Sequence, residues 1–184
     1  MKVCILYGGK SGEHDVSLRS AASVISNLDR AKYEVTAIGI DKRGRWHLQD
    51  VPERVRTQGE GERLTVAPSR IPVTVAPSDG IYAGTKRLPI DCVFPVLHGS
   101  YGEDGTMQGL LETAGLPYVG AGVLGSAASM DKEAAKRLWR DARLPVVDFI
   151  VVPRLGEPHQ LRNVGARLGW PVFVKPCSAG SSLG

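Results

Sequence analysis

The sequence predicts an α/β protein built on a parallel sheet, followed by the first, incomplete part of a second α/β unit. Three observations carry this. Val3-Cys4-Ile5-Leu6-Tyr7 is an unbroken apolar run ending in Gly8-Gly9, the pattern of a strand covered on both faces. Leu18, Ala21, Ala22, Ile25 and Leu28 then recur at helical spacing, and Tyr33 to Ile40 returns to strand character, completing a β-α-β unit. The right-handed crossover of such a unit puts the glycine loop after the first strand at the sheet's carboxyl edge, where ligands of open α/β sheets bind.

The remaining elements follow in order. Asp15 or Ser17 is placed to cap the first helix. From Asp41 to Leu88 the pattern dissolves into Pro, Gly and charge, and Val66-Ala67-Pro68-Ser69 recurs as Val75-Ala76-Pro77-Ser78. Two short copies cannot stack a core, so hairpins with proline-limited edge strands are expected here. Ile90 to Leu97 reads as another buried strand, which Pro95 shortens or places near an edge. Thr106 to Thr113 reads as a short helix behind the loop Ser100 to Gly105.

Gly120-Ala121-Gly122-Val123-Leu124-Gly125 reads as a flexible joint, giving a domain over 1–121 and a second from 122 to 184. Asp131 caps a strong helix with Ala134, Ala135, Leu138 and Ala142 on one face, and Pro145 stops it. A strand over Val146 to Val152, a helix over Gln160 to Leu168 closed by Gly169, and a strand over Val172 to Lys175 complete the expectation. The last strand runs into Pro176-Cys177-Ser178-Ala179-Gly180-Ser181-Ser182-Leu183-Gly184. Such a loop offers N–H groups and hydroxyls to phosphate, and more sheet should follow it, so the chain reads as the front part of a larger enzyme.

Composition bounds the function. With 42% hydrophobic and 23% charged residues the chain can bury a real core and is not disordered. The net charge of +4 is spread without a basic block, so nucleic-acid binding is not expected. Cys4, Cys92 and Cys177 are an odd number of separated thiols, the usage of a reducing compartment, and neither a signal peptide nor a membrane span is visible. A cytoplasmic protein without membrane partners is expected.

Two nucleotide motifs fail on their own mechanics. In a P-loop ending at Gly9-Lys10-Ser11 the first glycine would fall at Cys4, inside the strand. Gly120 to Gly125 matches G-x-G-x-x-G, but only Tyr118-Val119 precedes it and Asp141, about twenty positions on, falls within a helix. His14, His47, His98 and His159 are scattered, and no metal-ligand spacing occurs. Glu13 and His14 lie between the first strand and its helix, where a carboxylate can hold an ammonium and the helix start favours a carboxylate; a solvated acid is the competing reading for Glu13, and a loop histidine for His98. Lys132, in a helix's first turn, opposes the dipole unless an anion or solvent accommodates it. Lys175, at the end of an expected buried strand, calls for a counter-charge.

Taken together, Gly8-Gly9-x-Ser11-x-Glu13-His14-x-Val16-Ser17, Leu97-His98-Gly99-x-x-Gly102-Glu103-Asp104-Gly105, Ser129-Met130-Asp131-Lys132, and Val174-Lys175-Pro176 with Gly180-Ser181-Ser182-x-Gly184 resemble the D-alanine-D-alanine ligases of the ATP-grasp superfamily. The resemblance implies a Rossmann-like pre-ATP-grasp domain and the first part of an ATP-grasp domain. It implies a reaction in which ATP phosphorylates one D-alanine and the amine of a second attacks the acyl phosphate, for peptidoglycan synthesis. By position, Glu13 would bind the first ammonium, Ser181 would order the active-site loop, Val16 and His98 would line the substrate pocket, and Lys132, Lys175, Gly180 and Ser182 would serve ATP. Magnesium ligands and the family's omega loop would follow Gly184, so the chain as given is expected to be inactive. A homodimer is common in the family. Ligation of D-alanine to D-lactate or another acceptor, and a non-catalytic amino-acid-binding fragment, stay open as alternatives.

Overall fold

A computed structural model describes residues 1–51, 63–153 and 164–180. Its centre is a four-stranded sheet of order β3-β2-β1-β7, made of β1 (Lys2–Gly8), β2 (Glu34–Ile40), β3 (Trp46–Gln49) and β7 (Cys92–Leu97). β1 runs parallel to both β2 and β7, with Tyr7 opposite Gly39 and Val96, and β3 is antiparallel to β2. α1 (His14–Asn27) makes the first crossover.

The apolar run of β1 is unbroken because both its faces are covered. Val3, Ile5 and Tyr7 pack on Leu18, Ala21, Ala22 and Ile25 of α1. Cys4 and Leu6 join Ile38, Ile40, Val93 and Leu97 on the other face, under Met107 and Leu111 of α2 (Thr106–Thr113) and Ile81 of β5 (Gly80–Ala83). Each fully buried aliphatic side chain of this kind contributes about 1.5–3 kcal/mol. β4 (Val73–Ala76), β5 and β6 (Lys86–Arg87) form the small antiparallel sheet expected of the Pro-rich excursion.

β7 is an edge strand, as Pro95 requires. Val93 turns its N–H and C=O away from β1, to Pro117 O and Val119 N. With a period of two, the Pro95 nitrogen points to that same open side and removes no bond from the β1 ladder.

Beyond residue 121 the structure departs from expectation. The presumed joint carries α3 (Val123–Met130), whose small residues let Ala127 approach Gly105 at the start of α2. α4 (Lys132–Asp141) begins as expected, the Asp131 carboxylate accepting from Ala134 N at 2.8 Å. It ends before Pro145: Ala142 is its C-cap and Arg143 takes a left-handed φ of 58°. Val146 to Val152 forms no strand; Phe149 is held instead beneath Lys136 and Arg140, 4.9 and 5.0 Å from its ring centre. Of the expected helix over Gln160 to Leu168, the described part is α5 (Val164–Leu168); residues 160–163 lie outside the described residues. Val172 to Lys175 forms no strand and has no ladder partner among the described residues. No helix among the described residues is long and apolar enough to cross a membrane.

Candidate functional site

The site lies where β1 and β7 end. Gly8 and Gly9 have φ of 90° and 99°, and a Cβ on Gly8 would collide with the Ile40 carbonyl oxygen. The chain can therefore turn out of the sheet here only through glycine. Gly9 N donates to Ile40 O at 2.8 Å, and the His14 ring is fixed by Nδ1 on Gly9 O at the same distance. That partner is a carbonyl, so Nδ1 carries the proton.

Glu13 is the N-cap of α1, with no side-chain capping bond, which corrects the expected caps. Asp15 sits in the first turn, paired with Lys42 at 3.6 Å. Ser17 is too far into the helix to cap it and is fully buried, accepting from Gly8 N at 2.7 Å and donating to Val96 O. Gly8 stands opposite Leu97 in the parallel register, so its N–H would ordinarily bond to Val96 O. The Ser17 hydroxyl is interposed in that ladder step and ties α1 to both strand ends.

Ser11 couples the two loops, donating to His98 O at 2.6 Å and accepting from Glu13 N at 3.2 Å. The His98 ring contacts Ser20 Oγ through Nε2 at 2.9 Å and lies 3.9 Å from Glu103 through Nδ1. Glu103 also accepts from Gly99 N at 2.7 Å. Burial works against ionisation of Asp104, but the N–H groups of Tyr101 and Thr106 outweigh it and hold its carboxyl below the ordinary range, fixing the Ser100–Gly105 loop.

Glu13 differs from the rest of this set: its Oε2 is buried and has no hydrogen-bond partner among the described residues. That oxygen lies against Gly99 on one side and Gly180 on the other, where any Cβ would strike it. The terminal loop is thus laid over the carboxylate. It is latched there by α4: Lys132 N donates to Cys177 O at 2.9 Å, Lys132 Nζ to Ala179 O at 2.5 Å, and Ser178 Oγ to Asp131 at 3.3 Å.

The structure therefore brings Glu13, His98, Lys132 and Gly180 into one region. Val16 follows Glu13 by one helical turn and is half exposed. Lys175 stands apart: Phe173 and Val174 before it are 89% and 93% exposed, and its ammonium lies 5.9 Å from the Phe173 ring. The buried strand that was to demand a counter-charge is not formed, so that argument for an anion at Lys175 falls. Lys132 is satisfied by a loop carbonyl, the partner present at the helix start. Ser181 and Ser182 lie outside the described residues. Ser11 and Glu103 were in the sequence motifs without assigned roles, and Ser20 was not singled out; Ser17 had a detectable signal, a polar residue on the apolar stripe of α1.

Comparisons with known proteins place the chain in a family. Residues 2–121 match the family model described as "D-ala D-ala ligase N-terminus". The chain belongs to the D-alanine-D-alanine ligase family. Residues 138–184 match the model described as "D-ala D-ala ligase C-terminus". D-alanine--D-alanine ligase A of Salmonella typhimurium is 40% identical over the whole chain, which covers 52% of that protein. The ligase of Mycolicibacterium gilvum is 46% identical, again over the whole chain and 53% of its own length. The structure of the D-alanine-D-alanine ligase from Coxiella burnetii superposes with a TM-score of 0.82 at 37% identity, covering 99% of this chain and 54% of the other. The VanG D-Ala:D-Ser ligase of Enterococcus faecalis gives 0.76 at 34%, covering 98% and 53%. The chain spans about half the length of the curated relatives it matches. Among the described residues no group of three or more His, Cys, Asp or Glu side chains could hold a metal ion.

Proposed function

We propose that this chain forms the amino-terminal, first-substrate part of an ATP-dependent ligase that joins two D-alanine molecules for peptidoglycan synthesis in the bacterial cytoplasm. The observation that carries the reading is the Glu13 carboxylate, whose buried oxygen has no hydrogen-bond partner among the described residues and sits at the carboxyl edge of a parallel sheet in a member of this family. A buried carboxylate oxygen requires a donor, and an amino acid's ammonium is a donor of opposite charge. His98, oriented by Ser20 and its own backbone bond to Ser11, would line the same pocket with Val16.

The reaction replaces a poor leaving group, a carboxylate oxygen, with phosphate, and the charge that moves between phosphoryl and acyl groups has to be met by fixed cations and N–H groups. In this reading Lys132 and Lys175 supply cations, Gly180 and Ser182 supply the phosphate loop, and Ser181 orders that loop against Glu13. Lys132 has three N–H donors, of which Ala179 takes one; two are left for phosphate oxygens. The substrate domain would span 1–121 and the ATP-grasp part 122–184. Magnesium ligands are assigned to the part of the relatives that this chain does not span, and by that assignment the 184 residues alone do not turn over. A homodimer is proposed by family likeness.

Calorimetric titration with D-alanine and ATP, and phosphate release from ATP, test the reading. Glu13→Gln in an enzyme of the relatives' full length should raise the KM for D-alanine about tenfold or more, as expected for a lost charge-assisted contact, with ATP binding unchanged. Unchanged kinetics would remove Glu13 from the site, and phosphate release by these 184 residues alone would overturn the assigned inactivity. Similarity to a D-Ala:D-Ser ligase favours including D-serine as an acceptor in the same assay.

A further inference from the structure

The sheet edge carries a concavity on its α2 side, the face opposite α1. A cleft of about 380 Å³ opens there, walled by Ile40 at the end of β2, Trp46 of β3, Leu97 at the end of β7, and Met107 and Leu110 of α2. Its floor is Gly8-Gly9, and His98 forms part of its rim. Apolar walls with a few polar groups at one end are the usual construction of a small-molecule site.

The polar end is built from Lys10 and Tyr101. The Lys10 stem lies across Gly44 and its ammonium is 4.7 Å from the centre of the Tyr101 ring. Lys10 has no carboxylate partner among the described residues. Tyr101 is held in place at a cost, with φ at 66° and its N–H on Asp104 at 2.8 Å. Ser100 and Thr106 flank the pair. A cation that is positioned, stacked and uncompensated, at the mouth of an apolar cleft, complements an anion carried on an apolar body.

We propose that this cleft binds a small carboxylate with an apolar body, the body between Trp46, Met107 and Leu110 and the carboxylate on Lys10. Glu13 does not line this cleft, whereas Gly8, Gly9 and His98 do, so the inference does not rest on the ligase reading of Glu13. Phenylacetate is a suitable probe and 2-phenylethanol its uncharged counterpart, titrated into the full chain while the Met107 and Leu110 methyl resonances are followed by NMR.

Phenylacetate should shift both methyl groups saturably and bind about fivefold or more tightly than 2-phenylethanol, the scale of one charge-assisted contact at a partly exposed site. Lys10→Met, which keeps the stem, should erase that difference and leave 2-phenylethanol binding intact. Leu110→Trp should fill the space of the apolar body and abolish binding of both probes, whereas Glu13→Gln should change neither. Equal binding of the two probes to the unmodified chain, unchanged phenylacetate binding in Lys10→Met, or loss of binding in Glu13→Gln would each overturn the proposal. So would the absence of any saturable methyl shift, the result expected if another part of the protein or a second copy covers the cleft.

Discussion

Replacing Ser17 with alanine tests the claim that one hydroxyl holds the two strand ends in the geometry the site needs. The side chain is fully buried and relays Gly8 N–H, at 2.7 Å, to Val96 O. Removing it strands one donor and one acceptor away from water, and each orphaned group costs about 1–3 kcal/mol. The two can partly recover by closing toward the direct ladder bond that the Gly8–Leu97 register allows, so the expected loss is about 2 kcal/mol rather than the sum. For a chain of this size that lowers Tm by about 4–8 °C. Alanine also has a higher helix propensity than serine, a gain that would mask part of the loss. Ser23→Ala, exposed on the same helix, carries the same propensity gain and is the proper reference. Urea unfolding of both variants gives the difference if the slope is unchanged, and exchange of the Gly8 amide reports the bond directly. A difference between Ser17→Ala and Ser23→Ala of less than about 0.5 kcal/mol, the ordinary range of surface changes, would refute the relay.

Three further outcomes follow from the same structure. Asp131→Ala removes the α4 cap and the Ser178 contact and should cost about 1 kcal/mol, with faster exchange at the Ala134 amide as the check. Burial works against ionisation of Asp41, but bonds from Arg45 N, His47, the Arg45 side chain and Arg43 N outweigh it and hold its carboxyl well below the usual range. A depressed folded pKa contributes stability above the unfolded value of about 3.9 that is lost as pH falls through the folded one; Asp41→Asn should therefore be less stable at neutral pH, with the gap in Tm closing below about pH 4. Burial pushes the Cys4 thiol up to about 12, so at pH 8 a thiolate-specific reagent should leave Cys4 unmodified until the protein unfolds, as read by mass spectrometry.

What was legible in the sequence is what depends on local pattern and a nearby partner. The β1-α1-β2 unit, β7 and α2 were readable because their apolar positions meet neighbours inside the first 121 residues, and Pro95 correctly announced an edge. α3 was hidden because Gly122, Gly125, Ser126, Ala127 and Ala128 resemble a joint by composition. The same small residues are what allow the helix to approach Gly105 closely. Ser17 was misread because serine near a helix start suggests a cap; its place on the stripe formed by Leu18, Ala21, Ala22 and Ile25 was the better signal, since a polar group on a buried face needs a partner there. Glu13 and His98 could be placed at one edge from topology. The latch that carries Gly180 onto Glu13 could not, because it depends on bonds between residues forty-seven positions apart.

The strand pattern at Val172-Phe173-Val174 shows what such a signal measures. β-branched and aromatic residues at a strand position record a fit to a half-buried pleated surface, and a strand acquires that surface only from its neighbours. In β1 the neighbours are β2 and β7, and the same kind of run is fully enclosed. At 172–174 no ladder partner exists among the described residues, and Phe173 and Val174 stand in solvent. The relatives are about twice as long as this chain, and the second family model matches residues 138–184. The exposed run therefore has the composition of an interior surface in a family whose members carry more chain with which to cover it. Glu13 makes the same argument in polar form: among the described residues its buried oxygen has no donor and the run has no ladder partner, and the terminal loop lies between them, with Lys175 directly following the run and Gly180 resting on Glu13.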